Sequence, residues 1–509
     1  MGTIRWLSAV TGALGAALLL ATSAGAAVTA SVQVTGPSPF AIGCAGAGHD
    51  ESGTVSEEGE VEPWIAVDQS STGNPDGANV AGAWQQDRWS DGGSHGLVAS
   101  SSTDGGTTWG GENFGDFSRC PVAAHNGGNP DAEEPGKEYD RGSDPWVSWG
   151  ANHRLQQIAL TVSQPDFGLG FNAAILASYS DDFGAHWSHP QVIKQDSGGN
   201  VLDDKESITA DPSSGYVYAI WDRLVAPNAH ANLKATENAI GYRGPTWFAS
   251  SSDNGQSWSD ARMIYDPGEV NQTIANQIAI APDGTLVDVF LQINNFKNAH
   301  GSRGFSVSVM KSSDHGQTWS KPVVVSKLVD RTVRTPGDNL PLRTGDIAPD
   351  LAIDKTGAIY VVWQDGSSPT VSIMESKSTD GGATWSAPQK VNDSPAGVAA
   401  FTPSVDVNDN GDVAVTFYDF RNDTPTTDTA LTDYWIRTSS DGGSTWTTQQ
   451  VTPTSFDMKK APVARGFFVG DYEGLDHSAN DFKVFFVQTH NDDTGGNPTD
   501  VYGATATTP

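Results

Sequence analysis

Residues 376–385 read SKSTDGGATW, and the pattern Ser-x-Asp-x-Gly-x-x-Trp within them occurs six times along the chain. The aspartate can accept main-chain N–H groups across a tight turn, and the glycine can adopt a positive φ. The tryptophan then folds back as an apolar plug. We assign the aspartates to Asp104, Asp181, Asp253, Asp314, Asp380 and Asp441, and the tryptophans to Trp109, Trp187, Trp258, Trp319, Trp385 and Trp446.

Successive copies stand 61 to 78 residues apart, which fits one four-stranded antiparallel blade of a β-propeller. Each period opens with an apolar strand, such as EPWIAVD from Glu62, and continues with a second strand such as IYVVWQD. Three further strands after Trp446 lack the pattern. The sequence therefore predicts an all-β propeller of seven blades, in which residues 28–36 can supply the closing strand. Six blades is the alternative.

The six turns are Asp boxes, and they make the chain resemble the secreted bacterial sialidase-like proteins with BNR (Asp-box) repeats, over essentially all of residues 62–504. The strings EPWIAVD, DKESI and FVGDYEG are similar to the wider Asp-box family, and Glu62-Pro63-Trp64 stands where sialidases carry Arg-Ile-Pro. The resemblance implies an exo-acting glycoside hydrolase that removes terminal sugars, sialic acid among them. A non-catalytic propeller that binds glycan or protein is the alternative, and a propeller polysaccharide lyase is a third possibility.

Loops alternate between the two faces of antiparallel blades, so the boxes share one face with the turns that join first and second strands. The opposite face collects the residues that precede first strands or follow second strands, and these residues are rich in charge. We expect the ligand site on that face. Alignment of the first strands places one residue of each blade at an equivalent position round the axis: Trp64, Trp146, Ser207, Gln277, Asp350, Ser404 and Tyr472.

Sialidases use a tyrosine nucleophile assisted by a glutamate, an aspartate acid/base and three arginines that bind the sugar carboxylate. The resemblance implies Tyr472 as the nucleophile. It implies Glu206 or Glu62 as the base that assists Tyr472, and Asp87 or Asp144 as the proton donor. A guanidinium binds a carboxylate through two parallel hydrogen bonds, and the implied carboxylate clamp is Arg88, Arg223 and Arg421. The other expected substrate-binding residues are Trp64, Asp350 and Asp471.

The N-terminus predicts export. Residues 7–21 form an almost purely apolar run after Arg5, and Ala24-Gly25-Ala26 is typical of a cleavage site. We therefore predict a signal peptide at 1–26, an N-terminal segment at 27–61 and a single propeller domain at 62–509, with a membrane anchor as the alternative to cleavage. In an oxidising compartment Cys44 and Cys120 can form a disulfide; two free thiols are the alternative.

The charge balance narrows the classes of molecule that this protein can bind. The 509 residues include 61 acidic and 29 basic side chains, for a net charge of −32. Nucleic-acid binding needs a basic surface, so the charge disfavours nucleic acid, and the resemblance implies a glycan as the partner of a monomer outside the cell. No stretch after the signal peptide reaches membrane-spanning length. The expected chemistry requires no cofactor, although structural calcium, for example around Asp492 and Asp493, is compatible with so acidic a chain.

Overall fold

The computed structural model describes residues 1–2, 26–49, 52–74, 77–163, 172–198, 200–227, 241–295, 304–424, 428–490 and 498–508. Residues 3–25 of the expected signal peptide lie outside these ranges, as do Asp492 and Asp493. Within the described ranges, no helix combines the length and the apolar composition that a membrane crossing requires.

The fold is all-β and consists of antiparallel sheets, several of them four-stranded. Two short strands, β1 (Ala27–Val28) and β2 (Val32–Gln33), come first. The next eight strands are two four-stranded units joined through the single pair Ser94 and Gly142. Their bounds are β3 (Val55–Ser56), β4 (Val61–Val67), β5 (Val80–Trp89) and β6 (Ser94–Ser102), then β7 (Arg141–Trp149), β8 (Leu155–Ser163), β9 (Asn172–Ser180) and β10 (Gln191–Ser197).

The third and fourth units are regular four-stranded meanders. They comprise β11 (Val201–Ala210), β12 (Val217–Val225), β13 (Thr246–Ser251) and β14 (Arg262–Tyr265), then β15 (Gln272–Ile280), β16 (Leu286–Asn294), β17 (Gly304–Ser312) and β18 (Val323–Leu328). The fifth and sixth units comprise β19 (Asp350–Ile353), β20 (Ile359–Asp365), β21 (Ser372–Ser378) and β22 (Gln389–Lys390), then β23 (Ala400–Val407), β24 (Val413–Asp419), β25 (Leu431–Ser439), β26 (Thr447–Gln450) and the added β27 (Phe456–Asp457).

The last unit joins the two ends of the chain. It contains β28 (Gly474–Ser478), β29 (Asp481–Thr489) and β30 (Thr499–Thr507). Both β1 and β2 pair with β30, with Ala27 opposite Thr507 and Val32 opposite Gly503. The segment that the sequence suggested for closure therefore lies at the outer edge of the last sheet.

The first strands of the units contact one another in cyclic order. Strand β4 contacts β7, the contacts continue through β11, β15, β19 and β23 to β28, and β28 contacts β4 again. The apolar core lies between the faces of neighbouring sheets. Between the third and fourth units, for example, Tyr218 and Phe248 pack with Leu286 and Phe290. Because every sheet buries both faces, its central strands are almost entirely apolar on either side.

The six Ser-x-Asp-x-Gly-x-x-Trp turns share one hydrogen-bond pattern. In the copy at 378–385, Ser378 Oγ donates to Asp380 Oδ1 and accepts from Gly382 N, both at 2.8 Å, and Asp380 Oδ1 accepts from Thr384 N at 2.9 Å. These bonds, led by the one from the Thr384 hydroxyl, lower the pKa of Asp380 to about 2. The turn is therefore a local device that needs no ligand.

One assignment in these turns needs correction. In the second copy the turn aspartate is Asp182 and not Asp181, because Asp182 Oδ1 accepts from Ser180 Oγ at 2.8 Å and from His186 N at 2.9 Å. Asp181 instead accepts two hydrogen bonds from the Arg154 guanidinium. Two aspartates stand side by side here, and the spacing from Ser180, Gly184 and Trp187 identifies Asp182 as the one that fits the pattern.

The N-terminal segment is fastened to the first unit. Cys44 forms a disulfide with Cys120 in the helix α1 (Arg119–His125), with 4.8 Å between the two Cα atoms. Ser38 Oγ donates to Asp87 Oδ2 at 2.7 Å. Short 3₁₀ turns lie at Gln69–Ser71, Pro135–Glu138, Ala151–His153 and Met458–Lys460. Covalent and polar contacts thus hold this segment on the same rim as the ends of the second strands.

Candidate active site

A repeated bulge in the first strands directs charged side chains to the axis. The register between first and second strands slips in five units, for example between Val61 and Trp64. Just inside each slip stands a non-glycine residue with a positive φ of 48° to 56°: Glu62, Asp144, Lys205, Ala275 and Thr402. A bulge of this kind bends the strand and turns a side chain away from the sheet face. Three consecutive units therefore present an acid, an acid and a lysine at equivalent positions.

These charges meet in a buried cluster. Lys205 Nζ lies 2.8 Å from Asp471 Oδ2 and 3.3 Å from both Glu62 Oε1 and Asp144 Oδ2. Burial works to lower the pKa of Lys205, but the carboxylates, led by Asp144, raise it well above its usual value. Lys205 in turn outweighs the effect of burial on Asp144 and lowers the pKa of that carboxyl. Lys205 and Asp144 are therefore both charged at neutral pH.

Arg343 completes the cluster and was not anticipated from the sequence. Its Nε donates to Asp471 Oδ1 at 2.9 Å, a second guanidinium nitrogen bonds to Asp471 Oδ2, and the guanidinium stands 4.3 Å from the centre of the Phe468 ring. Burial raises the pKa of Asp471, but Arg343 and then Lys205 lower it far below its usual range. Arg343 lies in the long irregular stretch between β18 and β19, and the length of that stretch was the only sequence signal for it.

The first strands surround a channel along the axis. At the end of this channel nearest the charged cluster they enclose a small cavity. All seven residues aligned round the axis from the sequence line it, together with Lys205 and Glu206. The Trp64 and Trp146 rings stack with centroids 3.4 Å apart, and Tyr472 packs edge-on against both. The space amounts to about 30 Å³, enough for about two waters. We call this space the upper cavity.

Glu206 is the unusual group of the upper cavity. The residue is 2% exposed, and neither carboxyl oxygen has a hydrogen-bond partner among the described residues. Burial, and then the negative charge of Asp144, raise the pKa of Glu206 well above its usual value. Burial and Asp144 thus favour the protonated form of Glu206, whereas Lys205 favours the ionised form of Asp144. Glu62 has its pKa raised to about 8, mainly by burial, and is also protonated at neutral pH.

Tyr472 is placed at the cavity, but its surroundings favour the neutral phenol. Its hydroxyl donates to the Pro145 carbonyl oxygen at 3.3 Å. Burial raises the pKa of Tyr472 well above its usual value, and the carboxylates of Glu62, Asp144 and Glu206 act in the same direction. Asp350 lines the same cavity and accepts from Leu351 N and Val405 N, both at 2.8 Å. Burial raises the pKa of Asp350 to about 7.

The structure does not assemble the expected arginine clamp. Arg223 pairs with Asp203 and Asp196, and Arg421 pairs with Asp419 and Asp393. Arg88 donates to Gln85 Oε1 at 2.5 Å and lies over the Phe468 ring. Each arginine is thus engaged within its own or an adjacent sheet, because the ends of the second strands carry carboxylates and amides close to them.

Asp87 is also not a group of the upper cavity. Its carboxylate accepts from Ser38 Oγ and from Glu58 N, and it lies 3.0 Å from His95 Nδ1. These contacts fasten the N-terminal segment to β5. Among the expected acids, the structure therefore brings together Glu62, Asp144, Glu206 and Asp471 and leaves Asp87 outside.

The opposite end of the channel is a wider space of about 540 Å³, lined by the ends of the first strands and the turns that follow them. There Asp406, Asp476 and His477 form a group whose spacing would suit a metal ion. The polar atoms of this group already have partners. His477 Nδ1 lies 2.7 Å from Asp406 Oδ2, and Asp476 Oδ2 accepts from Val67 N at 2.7 Å. A second group of suitable spacing, around His95, uses the cysteines of the disulfide.

No protein-family model and no curated protein matches the sequence. Solved structures align over most of the chain. A Hadza microbial sialidase aligns with a TM-score of 0.46 and 16% identity over 85% of this chain and 74% of its own. The α-L-arabinanase of Penicillium chrysogenum gives 0.43 and 12% over 94% and 98%. The intramolecular trans-sialidase of Ruminococcus gnavus gives 0.42 and 14% over 91% and 96%. Scores and identities this low assign neither family nor activity.

Proposed function

We propose that this protein is a glycoside hydrolase with Glu206 and Asp144 as its catalytic carboxyl groups. The observation that carries the proposal is the pairing of a buried, protonated Glu206, unpartnered among the described residues, with an ionised Asp144 beside it. Two carboxyl groups with pKa values pushed in opposite directions are the usual basis of acid and base roles in glycosidases. The cyclic contacts of the first strands support a propeller of seven blades as the scaffold.

The proposed chemistry assigns one role to each group. Glu206 donates its proton to the glycosidic oxygen as the bond to the leaving group breaks; water then adds to the anomeric carbon and gives a proton back to the Glu206 carboxylate. Asp144 stays ionised because Lys205 is 3.3 Å away, and its charge stabilises the positive charge that develops on the sugar ring. The walls of Trp64 and Trp146 supply apolar surface for the ring face. Lys205 itself is engaged by Glu62, Asp144 and Asp471, and it helps to keep Asp144 and Asp471 ionised.

Access to Glu206 requires movement. The upper cavity is far too small for a monosaccharide, and Ala348 and Pro349 contribute to its wall. These residues follow Arg343, which bonds to Asp471 shortly before β28. A terminal sugar therefore reaches Glu206 only when the segment 343–349 shifts outward. This requirement favours an exo-acting enzyme, because a chain end needs a smaller opening than an internal bond.

Sialic acid remains a candidate substrate through the resemblance alone. A sialidase would use Tyr472 as nucleophile with Glu206 or Glu62 as its base, and would need cations for the sugar carboxylate. The cations nearest the cavity are Lys205, Arg343 and Arg88, all of them engaged. The export signal at 1–26 belongs to the same proposal and would place the enzyme outside the cell.

The decisive assay measures fluorophore release by the mature protein from sialosides, arabinofuranosides and neutral pyranosides between about pH 4 and pH 8. Glu206→Gln should lower kcat by about 10²- to 10⁴-fold, because it removes the proton donor and keeps the shape. Glu375→Gln is the matched control. This glutamate is also buried, and burial raises its pKa to about 7. It lies between the fifth and sixth units. Equal losses in both variants would indicate damaged folding.

Tyr472→Phe separates the two catalytic schemes. The carboxyl pair predicts substantial residual turnover, because Tyr472 donates only to a main-chain oxygen, whereas the sialidase scheme predicts none. Full turnover by Glu206→Gln would contradict the proposal.

A binding propeller without catalysis is the second candidate, and the small volume of the upper cavity favours it. It predicts glycan binding by calorimetry with no turnover of any substrate. A polysaccharide lyase would instead release unsaturated uronates that absorb in the ultraviolet.

A further inference from the structure

Two segments on the rim above the upper cavity join into one small platform. Bridges pair Arg334 with Pro341, Leu342 with Phe467, and Val463 with Phe467, and Arg343 N donates to the Phe467 carbonyl oxygen at 3.0 Å. Segment 329–343 thereby lies against segment 457–467. Lys459 Nζ also bonds to Asp338 across the same junction. We call these two segments the rim platform.

The charge of the rim platform is opposite to that of the chain. Its two segments hold six basic and three acidic residues, whereas the whole chain holds 29 basic and 61 acidic residues. Charge of this sign concentrated on one surface of a strongly acidic protein creates a local field that attracts anions. Screening confines that field to about 10 Å at moderate ionic strength, so the overall negative charge does not cancel it.

Two arginines of the platform are available to a ligand. Arg331 and Arg334 are exposed, and the hydrogen bonds they make within the described residues go to main-chain oxygens, of Pro369 at 3.2 Å and of Asn339 at 3.0 Å. Neither has a carboxylate within ion-pair distance in that part of the chain. Arg223 and Arg421, in contrast, are held by two carboxylates each. The N–H groups of Arg331 and Arg334 that remain suit an external carboxylate or sulfate.

The platform also exposes apolar side chains beside these charges. Leu340 is 40% exposed and Val463 is 55% exposed, and each belongs to one of the two joined segments of the platform. Isolated exposed apolar residues are common, but here they lie among cations on a single surface. Sugar rings of an acidic polysaccharide present the complementary combination, an apolar ring face and a charged edge.

The rim platform is connected to the candidate active site through Arg343. This residue belongs to segment 329–343 and bonds to Asp471, and Asp471 contacts Lys205 of the upper cavity. We propose that the rim platform binds an anionic polysaccharide chain through Arg331 and Arg334 and directs its end toward the upper cavity. This inference rests on the proposed glycoside hydrolase for its orientation, and the surface itself can be tested without turnover.

The experiment is isothermal titration of the mature protein with three polymers of similar length: polygalacturonate, dextran sulfate and uncharged dextran. Binding of at least one anionic polymer, weakening as salt is added, with no binding of dextran, is the expected result. Polygalacturonate and dextran sulfate distinguish a carboxylate from a sulfate as the recognised group. The variant Arg331→Ala/Arg334→Ala should weaken binding by about tenfold or more, because two charge-assisted contacts are lost.

The matched control is Lys327→Ala/Lys390→Ala, which removes two exposed positive charges from the outer strands β18 and β22. It should bind as the unaltered protein does. Equal weakening in both double variants, unchanged binding in the arginine variant, or equally tight binding of single-stranded DNA would overturn the inference. Polymer binding by a protein that cleaves no glycoside keeps the platform and rejects the hydrolase, whereas turnover without polymer binding does the reverse.

Discussion

The contact between His477, Asp406 and Asp476 connects the last, sixth and first units of the fold. The strength of this contact should depend on pH. His477 and Asp476 belong to β28, Asp406 belongs to β23, and the Val67 N–H that donates to Asp476 belongs to β4. Asp409 is a further carboxylate facing His477, with its Oδ1 3.6 Å from Nε2, and it is itself paired with Lys355. Replacing His477 with asparagine removes the cation from this junction.

The magnitude follows from the pKa of His477. Burial lowers that pKa, but Asp406 and then Asp476 raise it more strongly, and the result is about 9 against an ordinary 6.5. The stabilisation is fully present below the unfolded-state pKa of 6.5 and is lost as the pH rises through about 9. A shift of this size corresponds to about 3 kcal/mol at 1.36 kcal/mol for each pKa unit. The side chain is 18% exposed, so screening by solvent removes little of it.

Denaturant unfolding followed by tryptophan fluorescence measures the effect. At about pH 6 the His477→Asn variant should unfold with a free energy about 3 kcal/mol below that of the unaltered protein, and the difference should vanish at about pH 10. His186→Asn is the control, because His186 is 88% exposed beside Asp182 and joins no two sheets. A difference between His477→Asn and the unaltered protein that stays constant with pH would refute the reasoning.

Three further predictions concern other contacts. Replacing Cys44 and Cys120 by serine should lower the free energy of unfolding by about 4 kcal/mol, since the disulfide closes a loop with a sequence separation of 76; an unchanged thermal midpoint would contradict this. Ser378→Ala removes a hydroxyl that both donates and accepts within its turn and should cost about 1 to 2 kcal/mol, measurable by denaturant unfolding. Arg343→Met removes the main cation that lowers the pKa of Asp471. If the chain is a hydrolase, the acid limb of its pH–rate profile should therefore move to higher pH. An unmoved limb would show that Asp471 does not control turnover.

The axial residues could be predicted because the chain repeats itself. The apolar first strand that opens each period allows alignment of the units, and all seven aligned residues, from Trp64 to Tyr472, line the upper cavity. The same repetition locates the strands. Its spacing also selects Asp182 over Asp181 in the second turn, and the hydrogen bond from Ser180 to Asp182 agrees with that choice.

The ion pairs of the arginines could not be predicted, because the residues that form them do not occupy equivalent positions in successive units. Arg223 was expected at a ligand, yet Asp196 lies on β10, the outer strand of the preceding unit, and holds it in place. Arg343 was missed because no repeat contains it. Equivalent positions in a sequence alignment fix which strand end a side chain occupies, whereas the length of the side chain and the loop opposite it decide what it contacts.

The positive-φ residues of the first strands connect fold and chemistry. A left-handed conformation costs a non-glycine residue about 1 to 2 kcal/mol, and glycine would remove that strain. The chain contains 56 glycines, yet Glu62, Asp144 and Lys205 occupy three such positions. Glycine there would abolish the contacts that place the Lys205 ammonium among carboxylates on the axis. Backbone strain is thus retained at positions whose side chains converge. This pattern is expected where a buried group of charges matters more than stability. Glu206 follows Lys205 in the chain and stands at the edge of this group.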